Sequence, residues 1–109
     1  MTTAEMQERL FRFALAVMAA TRRLPQDAES RHVALQLFRA ATSVASNYRA
    51  ACLARSRAEF LAKLGTVREE ADEASFWLEF IHRARLWSTA ADAETSLHQE
   101  SIEIAAMVG

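Results

Sequence analysis

The stretch SRAEFLAKLGTVREEADEASFWLEFI, residues 56–81, decides the fold. Its apolar side chains fall at Phe60, Leu64, Val67, Ala71, Ala74, Leu78 and Ile81, in alternating steps of four and three. That spacing keeps one face of an α-helix apolar for its whole length and pairs it with a second helix. Ser56 followed three residues later by Glu59 has the spacing of a capping box, which opens the helix.

Working outward, Asp27 or Ser30 can cap a preceding helix that carries Ala34, Leu37, Phe38, Ala41, Val44 or Ala45, and Tyr48, and lasts to about residue 53. Thr2 and Glu5 have capping-box spacing again. They open a first helix, from about residue 4 to about residue 23, with Leu10, Ala14, Val17 and Thr21 as its stripe and Phe11, Phe13, Leu15 and Met18 beside it. Past Trp87, Ser88 or Thr89 can cap a fourth helix bearing Ala93, Leu97, Ile104 and Val108, flanked by Ile102 and Met107.

Composition agrees with this pattern. The chain has 109 residues, 51% of them apolar, which suffices for one core and not two. Two glycines and one proline leave little turn chemistry for strands. The expectation is all-α: residues 1–109 as a single domain, an antiparallel up-and-down four-helix bundle. A formal charge of -1 gives no global attraction to nucleic acid or anionic lipid, so such contacts must come from local charge segregation. Cys52 is the lone cysteine, which excludes an internal disulfide and a cysteine metal cage and fits a reducing compartment. The run FALAVMAA, residues 13–20, is too short to span a membrane and is preceded by Glu5 and Glu8, so a soluble cytoplasmic protein is expected.

The second helix holds small polar residues, Ser43, Ser46 and Asn47, where strong helix formers would be expected. The turn to the third helix is centred near residue 55, so facing positions have numbers summing to about 110. This places Ser43 and Asn47 near Val67 and Lys63, and Arg39 near Glu70 and Glu73. Arg39, Ser43, Asn47, Glu70 and Glu73 are therefore expected to form a structural polar network, because an unpaired buried polar group costs about 1–3 kcal/mol.

These residues also carry a resemblance. RAATSVASNYRAA (39–51), RSRAEFLAKLG (55–65), Glu69-Glu70-Ala-Asp-Glu73 and Phe76-Trp77-Leu78 resemble the four-helix bundle proteins named after the intervening sequence of the 23S ribosomal RNA gene. The resemblance covers about residues 15–108 and is most specific in the Arg-x-x-x-Ser-x-x-x-Asn piece and the Glu-x-x-x-x-x-x-Trp piece. It implies a left-handed bundle assembled as a cyclic homopentamer, in a family with no single settled biochemical role. Some relatives are accessory proteins of diversity-generating retroelements, in which a basic pentamer binds reverse transcriptase and RNA. The near-neutral charge here, and Arg49 where the family commonly carries an acid, depart from that pattern.

Three further features bear on function. Phe76, Trp77 and Phe80 extend beyond the single stripe of the third helix and are candidates for an oligomer interface. Arg49, Arg55, Arg57 and Lys63 cluster around the turn between the second and third helices. Repeated around a ring they would form a basic rim able to bind RNA without sequence preference. Glu29-Ser-Arg-His32 and Glu79-Phe-Ile-His82 have the Glu-x-x-His spacing of di-metal carboxylate bundles. Glu29, however, suits the first turn of its helix electrostatically, and Glu79 and His82 lie on the flank of their stripe. No metal or other cofactor is expected, and with no base placed near Cys52 and no glycine-rich phosphate loop, no catalytic residue and no enzyme activity are expected. The expected partner is a second copy of the chain, with RNA or another protein as the alternative.

Overall fold

The structure is a computed structural model that describes residues 1–87 and 92–108, without the side chains of residues 92–94. Four helices follow one another: α1 Thr3–Thr21, α2 Ala28–Ala51, α3 Arg57–Ala84 and α4 Asp92–Val108. Polar caps set three of the starts. Thr2 and Glu5 form the reciprocal capping box, with Glu5 N donating to Thr2 Oγ1 at 3.1 Å and Thr2 N donating to Glu5 Oε1 at 2.9 Å. Asp27 caps α2, accepting from both the amide and the hydroxyl of Ser30. Ser56 Oγ accepts from Glu59 N at the start of α3. Ser88 and Thr89, the expected caps of α4, lie outside the described residues, as does the side chain of Ala93. The third helix stops at Arg85, whose φ of 55° is the left-handed terminating conformation usually supplied by glycine.

Each helix packs against its two neighbours in a closed cycle α1–α2–α3–α4–α1, and among the described residues the backbones of the diagonal pairs stay apart. Arg39 of α2 meets Glu70 and Glu73 of α3, Ser75 of α3 meets Ser101 of α4, and Arg9 of α1 meets Glu100 of α4. A second contact on each seam fixes the direction: His32 meets Trp77, His82 meets His98, and Trp87, just before α4, reaches Ala20 at the end of α1. As numbers fall on one helix they rise on its neighbour, so these neighbours run antiparallel.

Leu37, Ala41 and Val44 of α2 and Val67, Ala71, Ala74, Leu78 and Ile81 of α3 are buried, as their spacing requires. Leu97, Ile104 and Val108 supply the face of α4, with the small polar Ser101 between them. The first helix differs from its sequence reading. Its core face is Met6, Leu10, Phe13, Val17 and Ala20, continued by Leu24 beyond the helix end. Ala14 and Thr21 sit on the flank, while Phe11 and Leu15 are 56% and 49% exposed. The reason is that α1 is apolar on two faces, so periodicity alone cannot choose which one the bundle covers.

Candidate functional site

The seam between α2 and α3 is where the polar residues meet. Arg39 Nη1 donates to Glu70 Oε2 at 2.9 Å, and its other terminal nitrogen donates to Glu73. The two acids are one turn apart on α3, so a planar guanidinium can reach both. Ser43 and Asn47 form a separate pair. Asn47 Nδ2 donates to Ser43 O at 2.9 Å and to Ser43 Oγ at 2.8 Å, so the amide finds both acceptors one turn back on its own helix. The expected network thus divides into an ion-paired cluster across the seam and a local lock within α2, with a physical cause. A half-buried Asn four residues after a Ser reaches its own helix more easily than it reaches Val67 or Lys63.

Phe76, Trp77 and Phe80 form one aromatic ridge on α3. The Phe76 and Trp77 rings meet edge-on at 4.9 Å between centroids, Trp77 and Phe80 at 6.0 Å, and His32 of α2 adds an edge contact to Trp77 at 5.8 Å. Phe76 is 55% exposed and Phe80 45%. Trp77 leans into the groove between α2 and α3, and its Nε1–H is buried without a hydrogen-bond partner among the described residues.

Arg49 lies in the last turn of α2, Arg55 in the connection, and Arg57 and Lys63 in the opening turns of α3, so all four occupy one end of the bundle. The three arginines are exposed, and none of the four makes an ion pair among the described residues. Nearby, Cys52 caps α2 as a half-buried free thiol. Burial, and next the neighbouring Cys52, push the Tyr48 hydroxyl above its ordinary value.

The two Glu-x-x-His units take different surroundings. Glu29 is exposed in the first turn of α2, and His32 lies against Trp77. Glu79 accepts from Arg83 at 3.1 Å, while His82 stacks on His98 of α4 and meets Trp87 edge-on. Among the described residues there is no group of three or more His, Cys, Asp or Glu placed to hold a metal ion.

Several contacts escaped the sequence reading. Arg9 donates to both oxygens of Glu100, at 2.8 and 2.6 Å, and to Glu103 at 3.2 Å, tying α1 to α4. Ser75 Oγ donates to the buried Ser101 Oγ, which donates in turn to His98 O. The His82–His98 pair stacks at 5.4 Å, and Trp87 Nε1 donates to Ala20 O, closing that end of the bundle. Burial, reinforced by His82 and opposed by Glu79, holds His98 below the ordinary histidine value. Reflecting α4 about the α3–α4 turn, as was done for α2 and α3, would have brought Ser75 near Ser101; no local signal pairs Arg9 with Glu100.

Comparison with known proteins agrees with this architecture. A crystal structure of a protein of unknown function from the S23 ribosomal protein family of Bacteroides thetaiotaomicron superimposes with a TM-score of 0.83. It shows 27% sequence identity, and the match covers 94% of each chain. No curated protein matches the sequence significantly. The family model of the 23S rRNA-intervening sequence protein matches residues 2–109, and the chain belongs to that family.

Proposed function

We propose that the chain is a non-enzymatic helical-bundle module that works as a homo-oligomer, a cyclic pentamer as the family resemblance implies, and scaffolds a partner in the cytoplasm. The observation that carries this reading is the aromatic ridge. Phe76 and Phe80 stand about half exposed around Trp77, although the α3 face toward the bundle is already complete with Val67, Ala71, Ala74, Leu78 and Ile81. Large rings clustered on a charged surface mark an interaction site. A free thiol at Cys52 supports a reducing compartment, and none of the described helices is long and apolar enough to cross a membrane. Light scattering should give a mass several times the 12.2 kDa of one chain. A stable monomer across the micromolar range would refute the scaffold reading.

The basic end supports RNA binding as a second reading. Arg49, Arg55, Arg57 and Lys63 lie together without ion pairs among the described residues, so a ring would present one such cluster per copy to a phosphate backbone. No aromatic platform interleaves them, which favours sequence-tolerant contact over base recognition. RNA binding should weaken steeply with salt and drop in an Arg55→Ala, Arg57→Ala double variant; equal binding by that variant refutes the basic rim.

A further inference from the structure

The bundle carries a second apolar surface, on the other side of α2 from the ridge. A groove of about 530 Å³ runs between α1 and α2, floored by Phe11, Leu15, Met18 and Phe38, and it continues past Leu35, which is 63% exposed. The groove opens between α1 and α2 while the ridge stands on α3, whose backbone stays apart from α1 among the described residues, so one chain cannot cover its own groove with its own ridge.

Charge distinguishes the two surfaces as clearly as shape does. Arg49 borders the groove at one end and Arg31 at the other, both exposed and outside any ion pair among the described residues. Among the described residues the only acid lining the groove, Glu8, already accepts from Arg12. On α3, Asp72 and Glu69 lie one and two turns before Phe76 on the same helical face, exposed and likewise outside any described ion pair. A convex aromatic ridge with acids on one side and a concave apolar groove with a base at each end are complementary in shape and sign. Pairing ridge with ridge would bring the acids of two copies together, and pairing groove with groove would leave two hollows facing each other.

We infer that the partner of the α1/α2 groove is a second copy of this chain, which inserts its Phe76–Trp77–Phe80 ridge there, with Asp72 and Glu69, on one side of the ridge, facing the arginine at one end of the groove, Arg31 or Arg49. The contact is heterologous: every chain gives a ridge to one neighbour and a groove to the other, so assembly continues until the rotation closes a ring. This rests on the oligomeric reading above and adds which surfaces meet.

The test uses two surface variants of the full chain, Leu15→Glu in the groove and Phe76→Glu with Phe80→Glu on the ridge, with helical circular dichroism as the folding control. Each alone should fall to the mass of one chain, because every copy has lost one half of the contact. Mixed in equal amounts, they should give a species of twice that mass, measured at high concentration because a pair lacks the avidity of a closed ring. Its ridge comes from the groove variant and its groove from the ridge variant. Should either variant lose its helical signal, Leu15→Ser and Phe80→Ser provide the same readout with smaller perturbations. A ridge variant or groove variant that keeps the full wild-type mass overturns the inference, as does a mixture of folded variants that stays monomeric. A monomeric wild type is a different result and overturns the oligomeric reading itself.

Discussion

The seams α2–α3 and α1–α4 lie on opposite sides of the same core and are built differently. Along α2–α3, Leu37, Ala40, Ala41 and Val44 pack against Val67, Ala71, Ala74 and Leu78, all buried, with Arg39 bridging to Glu70 and Glu73 outside them. Small residues let these backbones approach, so this is the most extensive contact in the molecule. Between α1 and α4 the contact is thinnest. A groove of about 810 Å³ opens there over Ala16, Ala19 and Ala20, and the Arg9 fork bridges α1 to α4 beside it. One seam is closely packed throughout, whereas the other adds a directed ion pair to a thinner apolar contact. The α1–α4 seam is accordingly the place where the bundle should open first.

The largest test of this contrast compares two leucines. Leu37→Ala, at a fully buried site between well-packed helices, should cost about 2–5 kcal/mol in denaturant unfolding. Leu97→Ala borders the α1–α4 groove, where neighbours can relax into the space, and should fall at the low end of that range, about 2 kcal/mol. Equal costs would mean that the two seams are packed alike.

A smaller effect sharpens the account of the weak seam. Arg9→Ala leaves the partly buried Glu100 without its cation and should cost about 1–2 kcal/mol. Hydrogen exchange should accelerate in α4 and the facing part of α1, while the α2–α3 core keeps its protection. Uniform acceleration across all four helices would show instead that the bundle opens as one unit.

The smallest effect comes from His98, on the α4 side of its stack with His82. Burial, then the neighbouring His82, lower its proton affinity in the folded state, and Glu79 offsets part of this. The unfolded chain therefore binds the proton more readily. Stability is fully present above the ordinary histidine value of 6.5 and declines as pH falls below it toward the lowered folded value. The capping carboxylates Glu5 and Asp27 are also lowered, but from 4.5 and 3.8, so their losses begin in a more acidic window. Thermal melts just above and below pH 6.5 should differ for the wild type and differ less for His98→Gln. The same slope in both would assign the effect to another group.

The strong seam was legible in the sequence because its signals are local or a single reflection apart. The four-and-three steps of α3 named its buried residues from Val67 to Ile81, although Phe60 and Leu64 at the start of the same stripe are only half-buried, and reflection about the α2–α3 turn placed Arg39 beside Glu70 and Glu73. Phe11 and Leu15 misled the reading of α1 because the outward groove there is as apolar as the core-facing stripe, and hydropathy does not say which is covered by the same chain. Asn47 was expected to find its partner on α3 and instead bonds to Ser43 one turn back on α2, since competition from its own helix is invisible to a pattern of facing positions. The Arg9–Glu100 fork was not legible at all. Charged pairs are plentiful in the sequence, and nothing marks one pair across the whole chain as special.

That fork also has a kinetic consequence. Arg9 and Glu100 are 91 residues apart, whereas Arg39 and Glu70 are 31 apart. Closing the longer loop carries a larger entropic cost, which is recovered only after the intervening helices have docked. The α2–α3 hairpin is thus suited to be the nucleus on which α1 and α4 condense, and the ion pair between first and last helices forms on the native side of the barrier. Substituting Arg9 should then speed unfolding and leave the refolding rate nearly unchanged, a φ value near zero; a φ near one would make the closing of the ends the rate-limiting event.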